Sequence, residues 1–223
     1  MKQILNQNIP IPYNWKFPIR LLDQEISIIE NEISEIFMEI ERMVRFTTSF
    51  DVNIEKVENT QTLNAFDSMP DETKLQFFAW LARLDQDAGK FALLWDERTI
   101  FPFLYGVLGG NLANAKSRSE NKTSELTDIE IGILFDLILS CFLKPLRGGF
   151  RKYWNEFDPR IDQIEFDRKG SLDLLPANEL CLFIPFKMKW MSYSKILFES
   201  QCVFIFSQTF LRKFKWRSSY GKI

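Results

Sequence analysis

The chain contains no histidine in 223 residues. Hydrolases that use a His base, His-containing zinc sites and His proton shuttles are therefore excluded. Cysteine is scarce: Cys141, Cys181 and Cys202 lie far apart in apolar runs, with no Cys-x-x-Cys, and read as reduced core thiols. Neither a Walker-type phosphate loop nor Gly-x-Gly-x-x-Gly is present, which removes the common nucleotide motifs. No apolar run approaches the ~18 residues of a membrane span. Met1 to Pro12 has neither the charged start nor the apolar stretch of a secretory signal, so a cytoplasmic chain is expected. A net charge of −2 supplies no global field for nucleic acid or an anionic bilayer. No cofactor, metal site or catalytic residue is expected.

What is present is the balance of a globule, 46% hydrophobic and 26% charged, which points to one large core. Twenty-two Phe and six Trp make that core aromatic. After a Pro-rich leader, residues 1–20, apolar residues recur at Ile26, Ile29, Ile33, Ile36, Phe37, Ile40, Met43 and Val44, the spacing of a long helix. Glu25, Glu30, Glu32, Glu35 and Glu39 lie opposite, either as an acidic recognition surface or as a solvated helix back.

Alternation predicts a strand from Phe50 to Val57, and another from Leu75 to Leu84 with apolar side chains on both faces. Phe91 to Trp95 reads as a strand, and Asp96 as the N-cap of a helix carrying Ile100, Phe103, Leu104, Val107 and Leu108. Gly109-Gly110 stops that helix, and the polar stretch Asn111 to Glu125 reads as a surface loop. Thr127-Asp128-Ile129-Glu130 is a capping-box pattern opening a second long helix through Phe142. Pro145 is expected to kink or interrupt it before Gly148-Gly149. Strands follow over Ile161 to Phe166, Leu180 to Trp190 and Ile196 to Phe206.

The order long helix, strand, longer strand, strand, helix occurs twice, displaced by roughly 105 residues. This predicts one pseudo-twofold α/β domain over 21–208, with half-repeats of about 21–108 and 126–208, two long helices and shorter ones packed on one central sheet. A basic aromatic tail, 209–223, completes the chain. Its Arg212, Lys213, Lys215 and Arg217, interleaved with Phe210, Phe214 and Trp216, read either as an anion or membrane contact or as a terminal helix covering a sheet edge.

The element order, together with the segment from Phe91 to Gly110, resembles the middle domain of the flagellar motor switch protein FliM, of the CheC/FliM-like fold. Glu125-Leu126-Thr127-Asp128-Ile129-Glu130 is similar to that family's Glu-Phe-Thr-x-x-Glu helix entry. Asp158-Pro159-Arg160, Pro176-Ala177-Asn178-Glu179 and Met69-Pro70 also fall where the family has comparable turns. The resemblance implies a non-enzymatic part of a ring that docks the rotor protein FliG and neighbouring copies. It sets the FliG contact at Gly109-Gly110-Asn111-Leu112, where the family has Gly-Gly-x-Gly and this chain lacks the last glycine. Leu22 to Ile26 echoes the family's peptide for a CheY-type response regulator, a third implied partner. A C-terminal domain that pairs with FliN is not evident. Two other roles remain open: a repurposed adaptor of a secretion or chemotaxis system, and a divergent CheC-type phosphatase. Against the latter, neither long helix carries the Glu-x-x-Asn pair of that activity.

Overall fold

The computed structural model describes residues 23–57, 61–64, 77–83, 90–96, 99–120, 126–155, 157–165, 180–192, 195–207 and 210–211. The leader and the four tail cations Arg212, Lys213, Lys215 and Arg217 lie outside the described residues, as do Met69-Pro70 and Pro176 to Glu179.

Helix α1 (Asp23–Thr48) is followed by β1 (Asp51–Lys56), β2 (Gln61–Asn64), β3 (Phe77–Arg83) and β4 (Lys90–Asp96). Then come α2 (Ile100–Val107), α3 (Leu112–Glu120) and α4 (Asp128–Leu137). A π-helical segment, Ile138–Leu143, joins α4 to α5 (Lys144–Phe150), and β5 (Arg160–Glu165), β6 (Leu180–Ser192) and β7 (Lys195–Ser207) follow. The strands form one seven-stranded sheet in the order β1-β6-β7-β4-β3-β5, with β2 also on β6. All pairings are antiparallel.

Exchanging β1 with β5, β3 with β6 and β4 with β7 reverses this order without otherwise changing it. The twofold repeat expected from the order of elements is thus present in the pairing, with β4 and β7 at its centre. β2, which the sequence pattern did not predict, extends β1 along the same edge of β6: β1 pairs with Phe186 to Met191, β2 with Leu180 to Phe183.

One face of the sheet carries the helices. Phe91, Leu93 and Trp95 of β4 join Phe204 and Phe206 of β7 and Leu182, Ile184, Phe186, Met188 and Trp190 of β6 in a single core. The period of two puts these side chains on one face. Helix α1 meets them with Ile29, Ile33, Ile36, Phe37, Ile40 and Val44. Phe37 lies 4.8 Å, centroid to centroid, from Phe186. Trp95 stacks on Phe103 at 5.3 Å and tilts against Phe142 at 4.9 Å, and Phe103 meets Trp190 edge-on at 5.0 Å. Such pairs each contribute about 0.5–1.5 kcal/mol beyond area burial. All three cysteines are buried thiols, as their apolar surroundings predict. Burial raises the thiol pKa of Cys141 and Cys202 and leaves them inert.

Four expectations need correction. Asp96 does not cap α2; it closes β4, buried, and the N-cap is Thr99, whose hydroxyl makes no capping bond and lies 3.7 Å from Cys202 Sγ. Pro102 is then the third helical residue, where the N–H has no intrahelical partner to lose. Asn111 to Glu125 is not all loop, because Leu112–Glu120 is helical. Pro145 does not break the second long helix. The π-helical segment ends immediately before α5, so Pro145 takes an early position there and the helix runs on through Gly148-Gly149 to Phe150. Finally, Glu32 is not on the solvated back of α1: it is buried and accepts a hydrogen bond from Tyr153 Oη. Glu30 pairs with Lys56, Glu35 with Lys152 and Glu39 with Arg42, so this face is largely internal pairing rather than a free acidic surface.

Candidate functional site

Helix α2 ends in a Schellman turn built on Gly109. With Leu108 as C-cap, Gly109 N–H donates to Gly106 O at 3.4 Å and Gly110 N–H to Tyr105 O at 2.6 Å. Gly109 holds φ at +75°, a conformation open to glycine at no steric cost. A Cβ on Gly110 would lie 2.5 Å from Tyr105 Cδ1, so the ring packs where a side chain would be. Both glycines have conformational reasons to be there, and both are exposed.

Asn111 then starts α3: its Oδ1 accepts from Asn114 N–H at 2.9 Å and its carbonyl from Ala115 N–H at 3.2 Å. Leu112 and Ala115, three apart on the new helix, are buried in the core. Of the four residues expected at a partner contact, Gly109, Gly110 and Asn111 reach the surface and Leu112 does not. In its place the structure exposes two apolar side chains just before the glycines, Val107 at 40% and Leu108 at 62%. The sequence pattern listed both among the apolar residues of α2 without separating them from Ile100, Phe103 and Leu104, which are buried. The available signal was the glycine pair, which ends the helix directly after them.

This turn is braced from behind. Arg118 near the end of α3 binds Glu130 of α4 through both guanidinium nitrogens, Nη1 at 2.5 Å and Nη2 at 3.2 Å. Its Cζ sits 4.9 Å from the ring centroid of Phe101 in α2, so one side chain ties three helices together. Glu130 also completes the predicted capping box, accepting from Thr127 N–H at 2.9 Å while its own N–H donates to Thr127 Oγ1 at 3.3 Å. The Arg118 hydrogen bonds are the main reason that the Glu130 carboxyl is lowered to about 2, burial opposing them.

Other exposed apolar side chains include Met38 and Phe46 on α1, Ile129 and Phe135 on α4, and Ile196 on β7. No group of three metal-ligating side chains occurs among the described residues. Among them, too, no helix is long and apolar enough to cross a membrane.

The fold defines a class: the chain has the CheC/FliM fold, in the form taken by FliM middle domains. It is similar to FliM in the FliG–FliM complex from H. pylori, with TM-score 0.68 and 14% identity over 86% of this chain and 100% of that one. FliM in the FliM–SpeE complex from H. pylori matches with TM-score 0.68 and 13% identity over 89% of this chain and 98% of that one. FliY from Thermotoga maritima matches with TM-score 0.67 and 13% identity over 90% and 98%. No protein-family model matches the chain, and no curated protein matches it in sequence.

Proposed function

We propose that the chain is a non-enzymatic component of a flagellar motor switch, working in the cytoplasm at the base of the flagellum. It docks a FliG-like rotor protein through the α2–α3 turn and packs against neighbouring copies in a ring. The observation that carries this reading is the turn itself. A glycine-closed helix end presents Val107 and Leu108 to solvent on a fold similar to a FliM captured with FliG. Exposed apolar groups at a rigid, backbone-rich corner are what a protein partner covers. Phe46 on α1 and Ile129 on α4 are apolar surface that neighbouring copies would cover.

The absence of a Glu-x-x-Asn pair on the long helices supports a scaffold over a phosphatase of the CheC type. Three carboxylates of the helical layer are engaged by cations: Glu130 by Arg118, Glu35 by Lys152 and Glu39 by Arg42. The experiment is a binding titration of the purified chain against the middle domain of FliG, comparing wild type with Leu108→Asp. Loss of binding in a folded variant supports the docking site, and unchanged binding removes it.

A further inference from the structure

Helices α1 and α5 pack closely at one point and then part. Gly149 sets the point of approach: a Cβ there would fall 2.6 Å from Ile36 Cγ1. Beside it opens a groove of about 540 Å³, floored by Ile36, Pro145 and Gly149. That size is within the range of small-molecule sites, roughly 300–1,000 Å³.

The α5 wall of the groove is cationic in a helical pattern. Lys144 precedes Gly148 by one turn of α5, Arg147 is adjacent in the chain, and Arg151 and Lys152 follow in the turn that closes the helix, so Gly148 lies among four cations. A Cβ on Gly148 would meet nothing within 4 Å, so these cations flank a depression where the helix backbone is open.

Its cations outnumber the carboxylates engaging them. Arg147 Nη2 and Arg151 Nη2 share one carboxylate, Asp158 Oδ1, at 2.7 and 3.9 Å. Arg147 Nε is buried without a hydrogen-bond partner. Lys144 makes no ion pair within 4 Å among the described residues; Glu39, whose carboxyl feels the Lys144 charge, is held by two hydrogen bonds from Arg42. Lys152 is engaged by Glu35 at 2.5 Å and by Glu32 at 3.6 Å.

We propose that this groove binds a phosphate monoester of small-molecule size, its dianion seated over Gly148 between Lys144 and Arg151. Guanidinium and ammonium groups around an open backbone suit a compact, doubly charged oxyanion. The facing wall sets the rest of the ligand. Glu35 and Glu39 line it, so a polyanion is repelled and the body of the ester is neutral or cationic, lying over Ile36. This site is separate from the α2–α3 turn and stands or falls independently of the docking function.

The test is calorimetric titration of the whole chain, in low-chloride buffer, with inorganic phosphate, glycerol 3-phosphate and tripolyphosphate. Saturable one-to-one binding is expected, tightest for glycerol 3-phosphate because its body covers the groove floor. Lys144→Ala or Arg151→Ala weakens it about tenfold, the effect of one charge-assisted hydrogen bond. Gly148→Met fills the depression without changing charge, and because the position is open and helical this variant folds with an unchanged or raised Tm; it abolishes binding. The proposal is overturned by absence of saturable binding, by equal affinity for inorganic phosphate, by tighter binding of tripolyphosphate, or by full binding in folded Gly148→Met.

Discussion

Arg118 and Glu130 are joined by two hydrogen bonds between helices that the sequence separates by a stretch without apolar periodicity. The pair is largely shielded, with side chains 24% and 11% exposed. It fixes the exit of α3 against the cap of α4, and through Phe101 against α2.

The first prediction concerns acid stability. Glu130 has its carboxyl lowered from 4.5 to about 2 in the folded protein, so the folded state binds fewer protons than the unfolded chain in that interval. The resulting stabilisation, on the order of 3 kcal/mol, is fully present above about pH 4.5 and is lost as pH falls toward 2. Glu130→Gln removes the dependence. Urea unfolding of both proteins at several pH values is expected to show a gap that is constant above pH 4.5 and closes in acid; a gap independent of pH contradicts the assignment.

A second prediction sets two adjacent glycines against each other. Gly149→Ala drives a methyl into Ile36 and is expected to destabilise by about 1–3 kcal/mol. Gly148→Ala meets open space in a helix and is expected to stabilise by about 0.5–1 kcal/mol. Ile36→Val, which removes one of the two clashing carbons, recovers part of the Gly149→Ala loss. Thermal unfolding of the three variants reads the sign directly, and equal effects at 148 and 149 would refute the close approach of α1 and α5.

The third concerns the turn. Gly109→Ala puts a side chain at φ +75° and costs about 1–2 kcal/mol without touching any neighbour, since a Cβ there has open space. Gly110→Ala collides with Tyr105 and is expected to perturb the turn itself. Substitutions at the glycines therefore mix folding with docking. Leu108 joins the cap only through its backbone N–H, which donates to Leu104 O, and its exposed side chain therefore separates the two.

In the core, Phe103 touches Trp95, Phe142 and Trp190. Phe103→Ala is expected to cost about 3–5 kcal/mol. Chemical denaturation measures it, and a loss below about 1 kcal/mol would show that α2 is not seated on the sheet as described.

The sequence was most legible where periodicity was long and two-sided packing unambiguous. Helix α1 and strands β6 and β7 fall within a few residues of their expected bounds, because Ile, Phe and Trp at fixed spacing leave one solution. The capping box at Thr127 and Glu130 was readable because its two residue types act locally. Helix α3 was not, since only Leu112 and Ala115 bury apolar surface and the rest is Ala113 with Asn, Ser, Lys, Arg and Glu. Asn111 before Leu112 was the available signal. The Arg118–Glu130 bridge is a tertiary contact that no local pattern encodes. Likewise, the π-helical turn that accommodates Pro145 has no residue signature, so proline's ordinary meaning misled. At the candidate site, the glycine pair marked the end of α2 but not the direction of the side chains around it: Leu112 turns inward and Leu108 outward.

The most direct test of the central claim is the affinity of the purified chain for the middle domain of FliG, measured for wild type and Leu108→Asp with thermal unfolding of both in parallel. The account predicts binding by wild type, at least a tenfold loss in Leu108→Asp, as for a central apolar contact, and a Tm that does not fall. Equal affinity of the two folded proteins, or no binding by wild type, would contradict it.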